Sequence, residues 1–219
     1  MLDDDFYRTI QPDARRSALA IVPPVLNYVQ PNSVVDVGGG TGTWAKVFKE
    51  NGVDEVLVLD GEHINPELLE VQPGEFRVVD ITEPLEIERR FDLVVSLETA
   101  EHLPVERADV FVRSLTGAGS VILFSAAIPH QGGFGHINEQ WQTYWAEKFA
   151  EHNFVPIDAL RRKIWNNPNV QWWYAQNVLF YVRRDELYDY PLLVKEHEFT
   201  TTNQLNLVHP HKYLESLRS

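Results

Sequence analysis

The residues that could do chemistry cluster where an apolar run gives way to glycines. Asp36 lies in a valine-rich run that leads directly into alternating glycines at Gly38, Gly40 and Gly42. Glycines let the backbone approach a ligand closely, and a helix starting here would present free amides. A dinucleotide site requires the spacing G-x-G-x-x-G, but Thr43 occupies the last position. The turn therefore indicates a nucleoside with an amino-acid tail rather than a pyrophosphate.

Three further acidic positions follow later apolar runs. Asp60 ends a second run, where a carboxylate can accept both hydroxyls of a ribose. Asp80 follows a third run and could bind an adenine amino group, with Ile81 beside it for the ring face. Glu98 closes a fourth run, at the start of the stretch Glu-Thr-Ala-Glu-His-Leu-Pro. Together these positions predict a nucleoside site at the ends of successive strands.

The elements that must position these residues follow an alternating pattern. Short runs rich in valine, leucine and isoleucine indicate strands buried on both faces, as in a parallel sheet. Amphipathic segments separate them, which is the order of a doubly wound α/β fold. A single domain is expected over residues 1–219, with its core at about 30–182. The predicted strands lie at 33–37, 55–59, 76–79, 91–97 and 120–125, and the predicted helices at 44–50, 66–70 and 105–115.

The segments before the first predicted strand and after the fifth also have predictable structure. A helix at 12–29 precedes the first strand and is expected to break or kink at Pro23 and Pro24. A helix over 138–152, capped by Asn138, follows the fifth strand. Extended runs at 154–165 and 170–182, joined by the turn 166–169, predict an antiparallel hairpin. The tail, 183–219, is polar and is expected to be irregular and to pack as a flap.

These features together resemble the class I methyltransferases that depend on S-adenosylmethionine (SAM), in their small-molecule branch. The resemblance implies a Rossmann-like, mostly parallel seven-stranded sheet with an antiparallel C-terminal hairpin strand, and SAM as cofactor. It further implies the roles of the acidic and glycine residues. Asp36, Gly38, Gly40 and Gly42 would cradle the methionine end, Asp60 the ribose, Asp80 and Ile81 the adenine, and Glu98 the cofactor's edge.

The stretch that begins at the end of the fourth predicted strand distinguishes between branches of this family. Its Glu-x-x-Glu-His-Leu stretch is similar to that of ubiquinone-biosynthesis methyltransferases. Adenine and glutamine N-methyltransferases carry Asn/Asp-Pro-Pro-Tyr here, whereas this chain has Ser-Leu-Glu-Thr at 96–99. The difference counts against methylation of DNA adenine or a protein amide.

Composition limits the partners. The net charge is −13, and the basic residues fall in scattered pairs, so nucleic acid is not an expected substrate. The chain has no cysteine, and no run approaches the ~18 apolar residues of a membrane span. The first residues are acidic, unlike a secretory signal. We therefore expect a cytoplasmic protein with a small-molecule acceptor and no membrane partner.

The loop after the fifth strand is the expected acceptor site, because ligands bind outside the carboxyl ends of such strands. His130, Gln131, Trp141 and Tyr144 are the candidate acceptor-binding residues of this loop and the following helix. Methylation of a hydroxyl needs a proton acceptor, and histidine is well suited near neutral pH. His136 is the first candidate.

His102 is the second candidate base, and catalysis by proximity alone is the alternative. A metal could instead bind His130 and His136, joined by Asp92, Glu98 or Glu139. This spacing matches no recognised ligand set, so no metal is expected.

The leading prediction is methylation of a hydroxyl on a sugar or secondary metabolite. N- or C-methylation, or a non-catalytic SAM-binding scaffold, remain alternatives. The aromatic run Trp172-Trp173-Tyr174 is expected to pack the last hairpin.

Overall fold

A seven-stranded sheet organises the chain. The computed structural model describes residues 4–217, so the expectations about residues 1–3 and the last two tail residues lie outside the described part. The sheet order is β3-β2-β1-β4-β5-β7-β6, with β7 antiparallel to both of its neighbours and the other pairs parallel. The strands are β1 (Ser33–Val37), β2 (Glu55–Asp60), β3 (Phe76–Val78), β4 (Leu93–Leu97), β5 (Val121–Ser125), β6 (Phe154–Ile157) and β7 (Leu179–Arg183). The predicted Rossmann-like fold is confirmed.

Helices cover both faces of this sheet. Every residue of β1, β4 and β5 is buried, which explains their unbroken apolar sequences. The helices are α1 (Asp4–Tyr28), α2 (Thr43–Glu50), α3 (Ala108–Ala118), α4 (Gln142–Ala150), α5 (Arg161–Ile164), α6 (Trp172–Asn177), α7 (Pro191–Glu198) and α8 (Pro210–Ser216). Residues of α1, α2 and α6 pack into one apolar layer, and residues of α3 and α4 pack into the other.

The first helix is longer than predicted and is not broken. It begins at Asp4 and continues through Pro23 and Pro24. Each proline removes a backbone donor from the helix. Complete burial of Ile21, Val22 and Val25 holds the helix against the sheet. The first two turns, which the sequence prediction missed, lie over the strand ends.

The predicted antiparallel pairing of the last two strands is confirmed, but the predicted connection is wrong. Phe154 pairs with Arg183, so the strands are the outer parts of the two extended runs. Residues 158–178 between them contain α5 and α6 rather than a four-residue turn. Residues 174–178 are all buried, and such a continuous buried run does not distinguish a short helix from a strand.

Two other boundaries differ from prediction. Helix α4 begins at Gln142, with Trp141 as the N-cap residue. Asn138 is therefore not the cap; it is buried in the preceding loop, where its backbone N–H donates to the carbonyl of Glu101 at 3.0 Å. The described tail is also not irregular, because it forms α7 and α8. Within residues 4–217, no helix has the length and apolarity needed to cross a membrane.

Candidate functional site

A cavity of about 1410 Å³ opens at the carboxyl ends of β1, β2 and β4. We call it the strand-end cavity. It lies where neighbouring parallel strands deliver their following loops to one edge of the sheet. Segments distant in sequence line it, namely 6–14 of α1, 36–44, 60–63, 78–82, 97–103, 131–136, 172–174 and residue 215 of α8. The loop after β5 and the first turns of α1 form its outer walls.

The glycine turn forms the floor of the strand-end cavity. Gly38 has a φ of 73°, and a Cβ there would lie 2.1 Å from the Thr99 side chain. Gly40 has a φ of 56°, and its amide donates to the Asp60 carboxylate at 2.7 Å. Both positions therefore require glycine, for the left-handed conformation and for close packing. Gly42 is the N-cap of α2 and, unlike Gly38 and Gly40, does not line the cavity, whereas Thr43 and Trp44 of the first helical turn do.

Two carboxylates stand beside that turn. Burial, followed by the nearby charge of Asp60, raises the pKa of Asp36 from 3.8 to about 7. One carboxylate oxygen of Asp36, Oδ2, is buried without a hydrogen-bond partner among the described residues. Burial also raises the pKa of Asp60, although amides of Gly61 and Gly40 bond its carboxylate and partly offset the effect. Both acids favour a cation in the cavity.

The part of the cavity around Asp80 is more open. Asp80 lines the cavity but is exposed, and its carboxylate accepts from the amide and hydroxyl of Thr82 at 2.9 and 2.6 Å. These bonds, the hydroxyl's first, lower the pKa of Asp80. Ile81 lies next to it in the lining and is half-buried. Both residues therefore line the cavity, and their contact with adenine stays a prediction.

Glu98 lies at the inner end of the cavity. Its φ is 52°, and its carboxylate accepts from the side-chain amides of Gln131 and Asn177 at 3.0 and 3.1 Å. Burial raises the pKa of Glu98 despite these bonds. Gln131, one of the predicted acceptor-binding residues, is therefore a partner of Glu98 as well as part of the lining.

The two candidate bases meet a second glutamate. Each of Glu101, His102 and His136 has one atom that could bind a metal, and these three atoms lie within 4.8 Å of one another. We call these residues the Glu-His-His cluster. The imidazole rings are 5.0 Å apart between centroids, and His136 Nε2 is 4.0 Å from Glu101 Oε1. Burial, with the charge of Glu98 adding to it, raises the pKa of Glu101 well above its ordinary value. Burial lowers the pKa of His102.

Three predicted acceptor-binding residues lie outside the lining. His130 is exposed, with a φ of 65° that turns the loop. Trp141 is also exposed, just before α4. Tyr144 packs its ring edge-on against Trp145, under the ammonium of Lys148. The structure therefore brings together Gln131, His136 and His102, but not these three.

Aromatic residues that the sequence analysis did not assign to the site form two of its walls. Phe6 and Tyr7 of α1 line one side, and the Tyr7 hydroxyl lies 3.0 Å from His63 Nε2. Trp172, Trp173 and Tyr174 of α6 line another, although they were expected to pack the hairpin. No spacing of apolar residues signals the second wall, because its three aromatic residues are consecutive and residues 174–178 are all buried.

The charged side chains that line the cavity are predominantly acidic. In the part of the chain that the structure describes, neither lysine nor arginine lines the cavity. Its acidic residues are Asp36, Asp60, Glu62, Asp80, Glu98, Glu101 and Glu215. An anionic ligand would meet repulsion here, whereas a cation would relieve the burial of several carboxylates.

The fold and this site define a Rossmann-like methyltransferase domain. The family model for the methyltransferase domain matches residues 11–167, and the chain belongs to that family. No curated protein sequence matches the chain significantly.

Solved structures share the fold at low identity. A protein from Nostoc punctiforme PCC 73102 matches with a TM-score of 0.60 and 13% identity, covering 81% of this chain and 58% of that one. The magnesium protoporphyrin IX methyltransferase of Synechocystis PCC 6803, solved with SAM, has a TM-score of 0.54 and 16% identity, covering 78% and 80%. Human N-acetylserotonin methyltransferase, also with SAM, has a TM-score of 0.51 and 11% identity, covering 84% and 60%. The chain thus spans less than two thirds of the Nostoc and human chains.

Proposed function

We propose that this protein binds SAM in the strand-end cavity and transfers its methyl group to a hydroxyl of a small, non-anionic acceptor. The observation that carries the proposal is the glycine turn beside buried carboxylates in a cavity without a lining lysine or arginine among the described residues. SAM carries a sulfonium and an ammonium group, so its charge complements these acids. Membership of the methyltransferase domain family supports the same assignment.

The residues present fit this cofactor. Asp36, with an unpaired buried oxygen, and the glycine turn would hold the methionine end. Asp60 would accept the ribose hydroxyls, because each of its oxygens now accepts a single amide and has a lone pair left. Asp80 and Ile81 would meet the adenine, and Glu98 would line the cofactor's edge. When bound, SAM supplies an electrophilic methyl group for in-line attack by the acceptor.

The acceptor would occupy the side of the cavity formed by the loop after β5. Gln131 and His136 line this side together with His102. Phe134 approaches Phe6 of α1, with ring centroids 5.9 Å apart, so the loop and the first helix enclose the space between them. Such enclosure would align the acceptor and exclude water from it. The predicted contacts from His130, Trp141 and Tyr144 gain no support from this geometry.

A hydroxyl acceptor is favoured because groups that can receive its proton line the same side. The His136 ring is oriented by Glu139, whose Oε1 lies 3.0 Å from Nδ1, which leaves Nε2 available. His136 thus remains the first candidate base and His102 the second. An amine would also suit the acidic lining, so N-methylation is the alternative to exclude.

An acceptor screen tests the proposal. Purified protein is incubated with SAM and with phenols, sugars, alcohols, amines or carboxylates, and mass spectrometry detects products heavier by one methyl group. We expect methylated hydroxyl compounds and stoichiometric S-adenosylhomocysteine, and about tenfold lower activity with the Asp60→Asn variant at subsaturating SAM. Methylation of amines alone would replace the O-methyltransferase assignment, and binding of SAM without any turnover would favour the scaffold alternative.

A further inference from the structure

The Glu-His-His cluster has the composition of a metal site. Two imidazoles and one carboxylate meet at the inner wall of the strand-end cavity, each pair of ligand atoms within 4.8 Å. Nitrogen and oxygen bonds to a divalent transition metal are about 2.0–2.2 Å long, which places cis ligands roughly 3.0–3.4 Å apart. The 4.0 Å between His136 Nε2 and Glu101 Oε1 therefore needs to close by less than about 1 Å.

Glu101 provides an independent indication. The residue is 0% exposed, and neither carboxylate oxygen makes a hydrogen bond of good geometry with any described residue. Buried carboxylates are ordinarily paired or bound to metal, because loss of hydration is costly. The His136 ring lies beside it, and Glu98 adds a second negative charge nearby. A cation at this point would stabilise a carboxylate that otherwise has only poorly aligned backbone amides, those of Ala127 and of Glu101 itself, near it among the described residues.

The two imidazoles are oriented as metal-binding histidines are. His136 Nδ1 lies 3.0 Å from the Glu139 carboxylate, and His102 Nδ1 lies 3.2 Å from the carbonyl of Gly135. Each ring can therefore donate from Nδ1 and present an unprotonated Nε2, the tautomer that a metal requires. Glu139 also accepts from the amide of Gly132 at 2.7 Å, which fixes the carboxylate that orients His136.

The backbone ties these ligands together. Amides of Ile137 and Asn138 donate to the carbonyl of Glu101 at 2.9 and 3.0 Å, so the loop carrying His136 is anchored on the residue it faces. A Cβ at Gly133 would lie 2.3 Å from His136 Nε2, so only glycine allows this packing. The cluster is therefore assembled by the fold and not by chance proximity of surface groups.

We propose that Glu101, His102 and His136 bind one divalent transition-metal cation at the wall of the strand-end cavity. Imidazole ligands favour cations such as Zn²⁺, Co²⁺, Fe²⁺ or Mn²⁺ over Mg²⁺. This ligand set differs from the one weighed in the sequence, because His130 is exposed outside the cavity and Glu101 replaces the other acids. It also replaces the expectation that no metal is bound.

The cation would bind the acceptor and activate its hydroxyl group. Three protein ligands leave coordination positions open toward the cavity, and an acceptor hydroxyl bound there would lose its proton more readily. His136 would then be a ligand rather than a free base. This consequence rests on the proposed function, whereas metal binding itself does not.

Cobalt titration tests the site without any acceptor. Chelator-treated protein is titrated with Co²⁺, followed by visible absorption and by calorimetry. We expect one Co²⁺ per chain with ligand-field bands of nitrogen and oxygen coordination. The isosteric Glu101→Gln and the His136→Ala variants should each bind about 100-fold more weakly, and Glu139→Gln about 10-fold more weakly.

The matched control is His130→Asn, which removes a histidine of the same loop and keeps a residue that tolerates its positive φ. It should bind Co²⁺ as the wild type does. Absence of stoichiometric Co²⁺ binding to wild-type protein would overturn the proposal. Equal binding by folded Glu101→Gln and His136→Ala variants would do the same.

Calorimetry with S-adenosylhomocysteine on the same samples separates the two proposals. Retained nucleoside binding without Co²⁺ binding rejects the metal site alone. Retained Co²⁺ binding without nucleoside binding rejects the proposed function alone.

Discussion

Acidic side chains around one cavity differ in how much of their charge the protein itself stabilises. Asp60 receives two backbone amides, and Asp80 receives an amide and a hydroxyl. Asp36 has one buried oxygen without a partner among the described residues, and Glu101 has two. A carboxylate that the protein leaves unpaired stores unfavourable free energy that a cationic ligand can release. The unpaired acids are therefore the most informative residues to change.

Substitution of Asp60 tests the ribose contact. We expect Asp60→Asn to weaken S-adenosylhomocysteine binding about tenfold or more, because charge-assisted hydrogen bonds contribute roughly 1.5–3 kcal/mol. Isothermal titration calorimetry measures the change, with circular dichroism to show that the variant is folded.

The control for this variant is Asp54→Asn, an exposed acid just before the opposite end of β2. It should bind the nucleoside as the wild type does. An unchanged dissociation constant for folded Asp60→Asn would place the ribose elsewhere.

Substitution of Asp36 tests the cost of its burial. Its pKa rises on folding from 3.8 to about 7, so in this range the folded state holds a proton that the unfolded state releases. The free energy of unfolding therefore falls as pH rises through this window. At about 1.4 kcal/mol per pKa unit, the loss is at most roughly 4 kcal/mol. Asp36→Asn removes this loss.

Urea denaturation without cofactor measures the effect at pH 5 and pH 8. The stability of Asp36→Asn relative to the wild type should increase between the two values, whereas that of Asp54→Asn should not change. A constant difference for Asp36→Asn across this range would contradict the raised pKa.

The sequence identified individual site residues unevenly. The sequence identified five of them because Asp36 lies within an apolar run and the others follow one, and all five line the cavity, namely Asp36, Asp60, Asp80, Ile81 and Glu98. Glu101 was not singled out. Its inward direction depends on the left-handed backbone at position 98 and on the short 3₁₀ turn that follows, Ala100–His102. Neither feature has a clear signature in the side-chain types.

At the scale of elements, helices α1 and α6 complete a site whose floor is supplied by the strands. The Tyr7 ring approaches Gly40, where an added Cβ would lie 3.1 Å from it. On the α6 side, Tyr174 meets Trp44 edge-on, with centroids 5.1 Å apart. Both helices therefore restrict the space above the glycine turn, and each should contribute to nucleoside affinity.

Substitution in α1 tests this contribution. Tyr7→Ala removes the ring beside Gly40 and the hydrogen bond to His63, so we expect S-adenosylhomocysteine affinity to fall about tenfold. Leu19→Ala, at a position of the same helix that is 49% exposed, is the control and should leave affinity unchanged. Equal dissociation constants for both variants and the wild type, measured by calorimetry, would show that α1 is not a wall of the nucleoside site.

The elements of the core were more predictable than those at its margins. The strands β1, β4 and β5 were evident because burial on both faces leaves continuous apolar runs, whereas the edge strand β3 is short and largely exposed. The connection through α5 and α6 was mistaken for a turn, because Asn166–Asn169 carries typical turn residues while the helices flanking it are only four and six residues long. The start of α1 was missed because its cavity-facing residues pack against loops brought close only by the fold.

The whole molecule combines a net charge of −13 with an acidic cavity. A field of this sign raises the local concentration of cations and opposes phosphate backbones. It agrees with a cationic cofactor and a non-anionic acceptor. The negative net charge could be predicted from composition. The structure was needed to show that, among residues 4–217, neither lysine nor arginine lines the cavity.

Calorimetric titration of the purified chain with SAM, and separately with NAD, tests the central claim most directly. We expect one SAM bound per chain with a dissociation constant in the micromolar range, which corresponds to a binding free energy of about −8 kcal/mol, and no heat of binding with NAD. Binding of NAD together with the absence of any heat from SAM or S-adenosylhomocysteine would contradict it.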